Sequence, residues 1–309
     1  MPIEIEQILL ERANLYKRIR SFFDARGVIE VDVPVLGCRT VSDVYLEPLT
    51  TDVCGQQRFL QTSPEYFMKR LLAQGVGSIY YLGKAFRADE VGARHSPEFA
   101  MLEWYMLGFD DQTLIRQITD LLLELSPGLN CSIVAYESCF QSAFGCSAHS
   151  ATLLQLQDLV AKHTTYHGML TSRSECLDLL FSVCIEPTLV SGAYFVYDFP
   201  AEQAALARLD ENEHGQRVAK RFELYWNGLE LANGYWELTD PQEQCERFQR
   251  DLHERRLTGK PVPQLDEAFL KALDSGLPDC AGVALGVDRL LMSLLGVDNI
   301  SSVMAFNDY

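Results

Sequence analysis

The sequence predicts an α+β fold in which helices flank an antiparallel β-sheet. Its strand-like segments are joined mainly as hairpins, and its helical patterns lie at the margins of those hairpins. The chain has 309 residues, of which 48% are hydrophobic and 22% are charged, so it can bury a large core. We predict a single domain over residues 1–309, with a helical insertion at about 126–192, where the patterns are weakest.

The first element is an amphipathic helix over residues 4–26, which Gly27 ends. The apolar residues near one face of this helix are Ile8, Leu15, Ile19 and Phe22. The segment VIEVDVPVL follows as a β-rich run that reaches Pro34. Because the chain starts with acidic residues and lacks an unbroken apolar stretch, we expect neither a signal peptide nor a membrane span.

A short strand in RFLQT leads into a helix in SPEYFMKRLLAQG. Ser63 suits the N-cap, Pro64 suits the first helical position and Gly75 suits the C-terminal stop. Glu65 lies in the first turn, where the helix dipole stabilises a carboxylate. Taken alone, this segment therefore indicates a well-capped helix and gives no sign of a catalytic or binding role.

Residues 78–109 predict a long hairpin with a charged tip. The segments SIYYLGKAFRAD and FAMLEWYMLGF are its strands, and FRADEVGARHSPEF spans the tip. Arg87, Arg94 and His95 in this tip can clamp an anionic ligand that bears phosphates, because the planar fork of arginine matches phosphate geometry. The alternative is a solvated tip with internal ion pairs.

The second half of the chain begins with a helix at 111–125 and a strand in AYFVYDFP. A second hairpin follows in RFELYWNGLELANGYWEL, with its turn near Asn227 and Gly228. The segment PQEQCERFQRDLHERRL predicts a helix, and CAGVALGVDRLLMSLLG predicts a strand that enters a helix. Gly286 lets the backbone pass close to a ligand there, and Arg289 begins an otherwise apolar helix. A tight crossing with Arg289 paired to a carboxylate would also explain this pattern.

Three glutamates recur at intervals of seven on the second hairpin, namely Glu223, Glu230 and Glu237. Carboxylates held near one another repel, so a bound cation such as Mg²⁺ or an ammonium group would stabilise them. The alternative is that these glutamates alternate outward on the surface of the hairpin.

The bulk charge and the cysteines exclude some classes of protein. A net charge of −17 argues against extensive wrapping by RNA, since binding through phosphates needs a basic surface. None of the nine cysteines forms a CxxC pair, and their closest spacings do not suit a zinc site. We expect reduced, mostly buried thiols in a cytoplasmic protein.

Taken in order, these segments resemble the catalytic core of a class II aminoacyl-tRNA synthetase. VDVPVL with Pro34 is similar to motif 1, which forms dimers in that family; FRADEVGARHSPEF is similar to motif 2, and GVALGVDRLL to motif 3. TSPEYFMKRL, RHSPEFAMLEWY and ELANGYWEL resemble the lysyl branch in particular. The resemblance covers nearly the whole chain and is weakest over residues 126–192.

The resemblance implies that the motif 2 loop holds ATP against an amino acid. Arg87 would contact the α-phosphate, Arg94 and His95 the outer phosphates, Phe99 the adenine, and Arg289 the other side of the nucleotide. The further ATP contacts that it implies are Ala88, Asp89, Ser96, Glu230, Leu231 and Gly286. A carboxylate would then attack the α-phosphorus, with Arg87 and Arg289 as the catalytic residues.

The resemblance also implies an amino-acid pocket and a metal site. Glu65, Tyr105 and Glu237 would read the side-chain ammonium, Asp89 the substrate amino group, and Asn233 would lie beside the carboxylate. The remaining substrate-binding positions that it implies are Ser63, Pro64 and Ala284. Glu223 and Glu230 match the positions that hold Mg²⁺ in the family.

Within the lysyl branch, motif 1 begins almost at the first residue, which leaves no room for an N-terminal anticodon-binding domain. The phrases ELANGYWELTD and PDCAGVALGVDRL are similar to the elongation factor P β-lysine ligase family, which attaches (R)-β-lysine to a lysine of that factor. This similarity implies an enzyme that modifies a protein and not tRNA, and the resemblance to motif 1 implies a homodimer. Two alternatives stay open: lysyl-adenylate formation for tRNA or another small acceptor, and a regulatory module without turnover.

Three positions depart from the pattern of the family. Asp89 stands where glutamate is usual, and Ala88 and Ser96 stand where asparagine is usual. Asp89 keeps the charge on a shorter side chain, and Ser96 can donate one hydrogen bond with less reach.

Ala284 stands where lysyl enzymes that charge tRNA carry glycine, and its methyl group would favour a substrate with a shifted amino group.

Overall fold

The computed structural model describes residues 4–306 of the chain. The chain packs as two compact units, of which one takes the residues up to Phe109 together with those from Thr239 onward, and the other is Asp110–Leu238. Helices flank the sheet in an α+β arrangement, as the sequence predicts. The division into one domain over 1–309 with an insertion at about 126–192 stays a prediction.

The strands of the described chain are β1 (Ile29–Glu30), β2 (Leu36–Gly37), β3 (Thr50–Val53), β4 (Gln56–Leu60), β5 (Ile79–Phe86), β6 (Glu98–Leu107), β7 (Cys131–Ala135), β8 (Ala193–Pro200), β9 (Leu209–Glu211), β10 (Arg217–Trp226), β11 (Leu229–Trp236) and β12 (Cys280–Gly286). Its α-helices are α1 (Ile5–Asp24), α2 (Glu65–Leu72), α3 (Asp111–Leu125), α4 (Tyr136–Phe144), α5 (Leu153–His163), α6 (Arg173–Leu180), α7 (Pro241–Leu257), α8 (Glu267–Asp274) and α9 (Val287–Leu295).

The first unit is built on the predicted long hairpin. β5 and β6 pair antiparallel, with Ile79 opposite Tyr105 at one end and Phe86 opposite Glu98 at the other. β12 pairs antiparallel with the other edge of β6. β1 instead runs parallel to β5, which the long connection through β2, β3, β4 and α2 permits. This arrangement puts the charged tip of the hairpin and the start of α9 at the same end of the sheet.

Helix α1 packs its predicted apolar face into the first unit. Ile8, Leu15, Ile19 and Phe22 are all buried, which confirms the periodicity of that segment. Phe23, on the same helix, stacks on Tyr80 of β5 with 4.4 Å between ring centroids. Burial of side chains of this size stabilises the fold by about 1.5–3 kcal/mol each. The helix therefore packs against one face of the β5–β6 hairpin.

The second unit contains strands β7 to β11 and has its own core. β8, β10 and β11 pair antiparallel, β9 adds to β10, and β7 runs parallel to β8. β7 was not predicted, and its parallel pairing is possible because α4, α5 and α6 connect it to β8. These helices pack against the sheet around aromatic residues such as Tyr136, Phe140 and Phe199.

Some predicted elements differ in the structure. The run VIEVDVPVL does not form one strand: only Ile29 and Glu30 pair as β1 and Leu36 begins β2, with Pro34, which has no N–H to donate to a ladder, between them. Helix α2 begins at Glu65, one residue later than predicted, although Ser63 Oγ accepts the expected capping hydrogen bond from Glu65 N at 3.1 Å. The hairpin of β3 and β4, which makes a small sheet with β2, and helix α8 were not predicted.

Other predictions concern the cysteines and the membrane. All nine cysteines lie within the described residues and each is a free thiol, although only Cys176 and Cys280 are fully buried. Within residues 4–306, no helix is both long enough and apolar enough to cross a bilayer.

Candidate active site

The tip of the β5–β6 hairpin is an ordered loop. Arg87 N donates to Pro97 O at 2.9 Å, which closes the base of the loop just beyond the last paired residues. Gly92 and His95 exchange two backbone hydrogen bonds of 3.2 Å, which closes a second, tighter turn inside it. The charged side chains of this segment therefore extend from a backbone that is held in place.

Basic side chains converge on this loop. Arg289, in the first turn of α9, donates its Nε to Arg94 O at 3.1 Å. Burial lowers the pKa of His95, and the positive charge of Arg289 is the next largest cause. Arg87 and Arg94 add to this effect, so all three arginines lie close enough to act on the imidazole. The structure thus brings Arg87, Arg94, His95 and Arg289 together at this loop.

Arg87 has the geometry of a residue that binds an anion. Its Nη1 contacts Glu90 Oε1 at 2.9 Å, and its guanidinium carbon lies 5.1 Å from the centre of the Phe99 ring. Its Nε is buried and has no hydrogen-bond partner within residues 4–306. A buried donor without an acceptor costs about 1–3 kcal/mol, which a phosphate or carboxylate oxygen of a ligand would offset. The internal ion pair with Glu90 exists, but it does not satisfy the whole group.

Four further residues that the resemblance assigns to ATP lie around the same loop or at the start of α9. Ala88 N donates to Glu47 O at 2.9 Å, and Asp89 is exposed. Ser96 is buried at the base of the loop. Gly286 ends β12 directly before α9, and Asp288, the second residue of that helix, accepts from Ala100 N of β6 at 2.6 Å. This last bond fixes the start of α9, and with it Arg289, against the hairpin.

A buried carboxylate, Glu103, lies in the stem of the same hairpin, and the sequence analysis missed it. It is 2% exposed and accepts hydrogen bonds from Ser63 Oγ and Tyr105 Oη, both at 2.7 Å. Burial is the main cause that raises the pKa of Glu103 to about 8, and the neighbouring charge of Glu65 is the second. The available signal was a single acidic residue in the apolar run FAMLEWYML. An acid at that place in a buried strand needs a partner or a function.

Glu65 faces the same pocket and is held by a lysine of its own helix. Lys69 Nζ lies 2.6 Å from Glu65 Oε1, and this lysine is 1% exposed. The same Nζ lies 6.0 Å from the centre of the Tyr105 ring. Ala284 of β12 is the cross-strand neighbour of Glu103, and Pro64 is buried beside Ser63. The structure thus joins the predicted Ser63, Glu65, Tyr105 and Ala284 around an unpredicted carboxylate.

The remaining predicted residues lie in the second unit, on the β10–β11 hairpin. Asn227 and Gly228 both have positive φ angles, 51° and 71°, as the predicted tight turn requires. Glu223 is opposite Asn233, and Glu230 is opposite Tyr225, because a bulge shifts the register after Leu224. The spacing of seven therefore does bring Glu223 and Glu230 onto neighbouring positions of two strands.

Both Glu223 and Asn233 have partners within the hairpin. The carboxylate of Glu223 accepts from Arg221 Nη2 and from Tyr225 Oη. Asn233 Oδ1 accepts from Arg221 Nε at 3.2 Å. A cation thus neutralises Glu223, as its burial demands, but that cation is the chain's own Arg221. Leu231 is buried in β11. Glu237 is buried beyond the end of that strand, where its backbone forms an isolated β-bridge with Ala207.

The carboxylates of this hairpin fit only a metal ion that brings further ligands. Within residues 4–306 there is no group of three or more His, Cys, Asp or Glu side chains that could hold a metal ion. Mg²⁺ is often bound by one or two carboxylates together with the phosphates of a substrate and water. Glu223 and Glu230 can supply that smaller share when Mg²⁺ replaces Arg221 beside Glu223, so the donor set fits Mg²⁺ that arrives with further ligands.

Comparisons with known proteins agree with this geometry. The model of the family of class II tRNA synthetases (D, K and N) matches residues 3–308. The chain is 44% identical to the elongation factor P (R)-β-lysine ligase of Photorhabdus laumondii over 308 residues, which cover 97% of this chain and 94% of that protein. It is 43% identical to the protein of the same name from Avibacterium paragallinarum, over 99% and 97% of the two chains. With the one from Proteus mirabilis the identity is 44%, over 97% and 95%.

Proposed function

The chain belongs to the family of class II tRNA synthetases, and we propose that it is an ATP-dependent ligase that activates (R)-β-lysine and transfers it to a lysine side chain of elongation factor P. One observation carries this proposal. A single hairpin, β5–β6, presents a cluster of arginines at its tip and a buried acidic pocket in its stem. An amino acid with a cationic side chain and an anionic nucleotide are the two ligands that such a hairpin would hold in line.

The acidic pocket would recognise the ammonium group of the substrate. Glu103 supplies a carboxylate whose hydrogen bonds from Ser63 and Tyr105 fix its position, and Glu65 supplies a second one that Lys69 holds. A cationic amine favours the ionised form of Glu103, because an opposite charge lowers the pKa of a carboxyl group. We assign the remaining contacts of the amino acid to Pro64, Asp89, Asn233, Glu237 and Ala284.

The arginine cluster would hold ATP so that its α-phosphorus faces the substrate carboxylate. The buried, unpartnered Nε of Arg87 is suited to the α-phosphate, and Arg289 closes on the nucleotide from α9. Arg94 and His95 reach the outer phosphates, and Phe99 offers a ring for the adenine. The other residues assigned to ATP are Ala88, Asp89, Ser96, Glu230, Leu231 and Gly286.

The first reaction needs no general base, because the attacking carboxylate is already anionic. Its oxygen forms a bond to the α-phosphorus while the bond to the pyrophosphate oxygen breaks, which leaves an acyl-adenylate. Arg87 and Arg289 stabilise the charge that develops on the phosphoryl oxygens, so catalysis consists of positioning and electrostatics. Glu223 and Glu230 would hold Mg²⁺, which neutralises phosphate charge when it is bound.

In the second reaction a neutral amine of the acceptor forms a bond to the acyl carbonyl carbon, the bond from that carbon to the AMP oxygen breaks with its electrons on AMP, and the amine nitrogen releases a proton to leave an amide. The names of the relatives support elongation factor P as the acceptor and (R)-β-lysine as the amino acid. The net charge of −17 disfavours tRNA as the acceptor. We further propose a homodimer, by analogy with motif 1 of the family, and a cytoplasmic location.

Incubation of the enzyme with ATP, (R)-β-lysine and purified elongation factor P tests this proposal. We expect the mass of elongation factor P to increase by one β-lysyl group on a single lysine, and an Arg87→Ala variant serves as the control that lacks the α-phosphate contact. Esterification of tRNA in a parallel reaction, with no change in the protein, would refute the assignment of the acceptor.

A further inference from the structure

One buried arginine lies outside the residues assigned so far. Arg255 lies on α7, is 1% exposed and is among the largest fully buried side chains of the described chain. Charged side chains are rarely buried to this extent unless they are paired. Its neighbours are mainly backbone carbonyl oxygens, so its role concerns the path of the chain and not only charge neutralisation.

The guanidinium of Arg255 holds residues 42–47, which we call the anchor segment. Its Nη2 donates to Asp43 O at 2.6 Å and to Leu46 O at 2.7 Å, and its Nε lies 3.1 Å from Ser42 O. The side chain of Glu47 completes the set at 3.3 Å from Nη1. These residues belong to no helix or strand, so regular secondary structure does not supply donors for their carbonyl groups.

Two more side chains from the same part of the chain reinforce this contact. Lys260, just after α7, donates its Nζ to Val44 O at 2.6 Å. Asp251, one turn before Arg255, accepts from Ser42 Oγ at 2.7 Å. Helix α7 and the residues after it therefore fix the anchor segment from one side at successive points.

The anchor segment in turn contacts the loop at the hairpin tip. Glu47 O accepts a hydrogen bond from Ala88 N at 2.9 Å. Ala88 follows Arg87 and precedes Asp89, so this bond lies between the residue assigned to the α-phosphate and the one assigned to the amino group. A displacement of Glu47 would be passed on to Arg87 through the backbone.

We infer that Arg255 is a positioning residue for nucleotide activation, which acts through the anchor segment on Ala88 and so sets the place of Arg87. This inference rests on the proposed function, because it assumes that Arg87 contacts ATP. Within residues 4–306, the hydrogen bonds of Ser63, Glu65 and Glu103 do not involve the anchor segment, which reaches helix α2 through the contact of Ser42 with Tyr66. Loss of Arg255 should therefore affect ATP more than the amino acid.

The test compares Arg255→Met with Arg256→Met, which changes the exposed neighbour on the same helix. ATP–pyrophosphate exchange gives kcat/KM for ATP, and calorimetry without ATP gives the affinity for (R)-β-lysine. For Arg255→Met we expect a loss of about 10- to 100-fold in kcat/KM for ATP, the cost of a small misplacement of a reacting group. The affinity for β-lysine should stay within about twofold of wild type, and Arg256→Met should match wild type in both measurements.

Equal losses for ATP and β-lysine, or no loss for ATP, would overturn the inference. If Arg255→Met does not fold, Lys260→Met provides the test. Lys260 is partly exposed, and its replacement removes only one contact of the anchor segment. A selective loss for ATP in that variant supports the inference, and wild-type values for ATP contradict it. Failure of the wild-type enzyme to catalyse any exchange would instead refute the proposed function, so the two failures are distinct.

Discussion

Replacing Glu103 with glutamine tests the acidic pocket, because the change removes a charge and keeps the size of the side chain. We expect the KM for (R)-β-lysine to rise, and to rise more at pH 9 than at pH 7. The reason is the raised pKa of Glu103, about 8, against an ordinary value of 4.5. At pH 7 the carboxyl group of the empty protein is mostly protonated, and it must lose this proton before it can attract an ammonium group.

The size of the effect follows from two contributions. A hydrogen bond to a charged group in a buried site contributes up to ~3 kcal/mol. At pH 7, ionising a group with a pKa of about 8 costs ~1.4 kcal/mol, which leaves ~1.6 kcal/mol in favour of the wild type. We therefore expect the KM of Glu103→Gln to exceed that of the wild type roughly 15-fold at pH 7 and roughly 150-fold at pH 9.

Pyrophosphate exchange at varied concentrations of β-lysine measures both ratios. Thermal unfolding of the empty proteins is the control: because the folded pKa is raised, stability of the wild type falls as the pH rises toward and through about 8, and Glu103→Gln lacks this fall. Equal KM ratios at the two pH values would refute the protonation argument. An unchanged KM at both pH values would show that Glu103 does not contact the substrate.

Other substitutions test the remaining assignments. Arg87→Ala should lower the rate of adenylate formation on the order of 10²- to 10³-fold, as loss of a donor to a developing negative charge does, and single-turnover kinetics measure it. Glu223→Gln should raise the Mg²⁺ concentration for half-maximal exchange by about tenfold or more, and a titration with Mg²⁺ checks this. Ala284→Gly should shift the preference from β-lysine toward L-α-lysine, as the ratio of kcat/KM values reports, because the methyl group beside Glu103 is removed from the pocket wall.

Local patterns predicted much of this fold correctly. The β5–β6 hairpin, the turn at Asn227 and Gly228, helix α3 and the passage from β12 into α9 all follow from periodicity and turn chemistry. These signals lie within short segments, so the sequence exposes them directly. The apolar face of α1 was predicted for the same reason, since 3.6-residue periodicity marks the side of a helix that becomes buried.

Features that depend on distant pairing were not predictable in this way. The short strand β7 pairs parallel with β8 more than fifty residues later, and nothing in CSIVA itself requires that partner. The run before Pro34 has strand-like composition, but its residues largely lack a pairing partner. Arg221 as the counter-ion of Glu223 follows from the register of one strand, while the contact of Arg255 with residues 42–47 joins segments about 200 residues apart.

Within the candidate site, the arginines were more predictable than the buried carboxylate of Glu103. Arg87, Arg94 and Arg289 are charged residues that stand beside apolar segments, so the sequence itself shows the contrast. Glu103 was hidden in a strand that otherwise looked like core, and its importance became visible only once Ser63 and Tyr105 were seen to donate to it. Burial of a charge is a property of the fold, which composition alone does not report.

The most direct measurement of the central claim is ATP–pyrophosphate exchange by the purified protein with (R)-β-lysine, with L-α-lysine and without an amino acid. Our account predicts rapid exchange with β-lysine, slower exchange with α-lysine and none without an amino acid. A preference for α-lysine would contradict the proposed substrate and favour an enzyme that serves tRNA or another small acceptor. No exchange with either lysine would contradict the proposed catalysis and leave a module that binds its ligands without turnover.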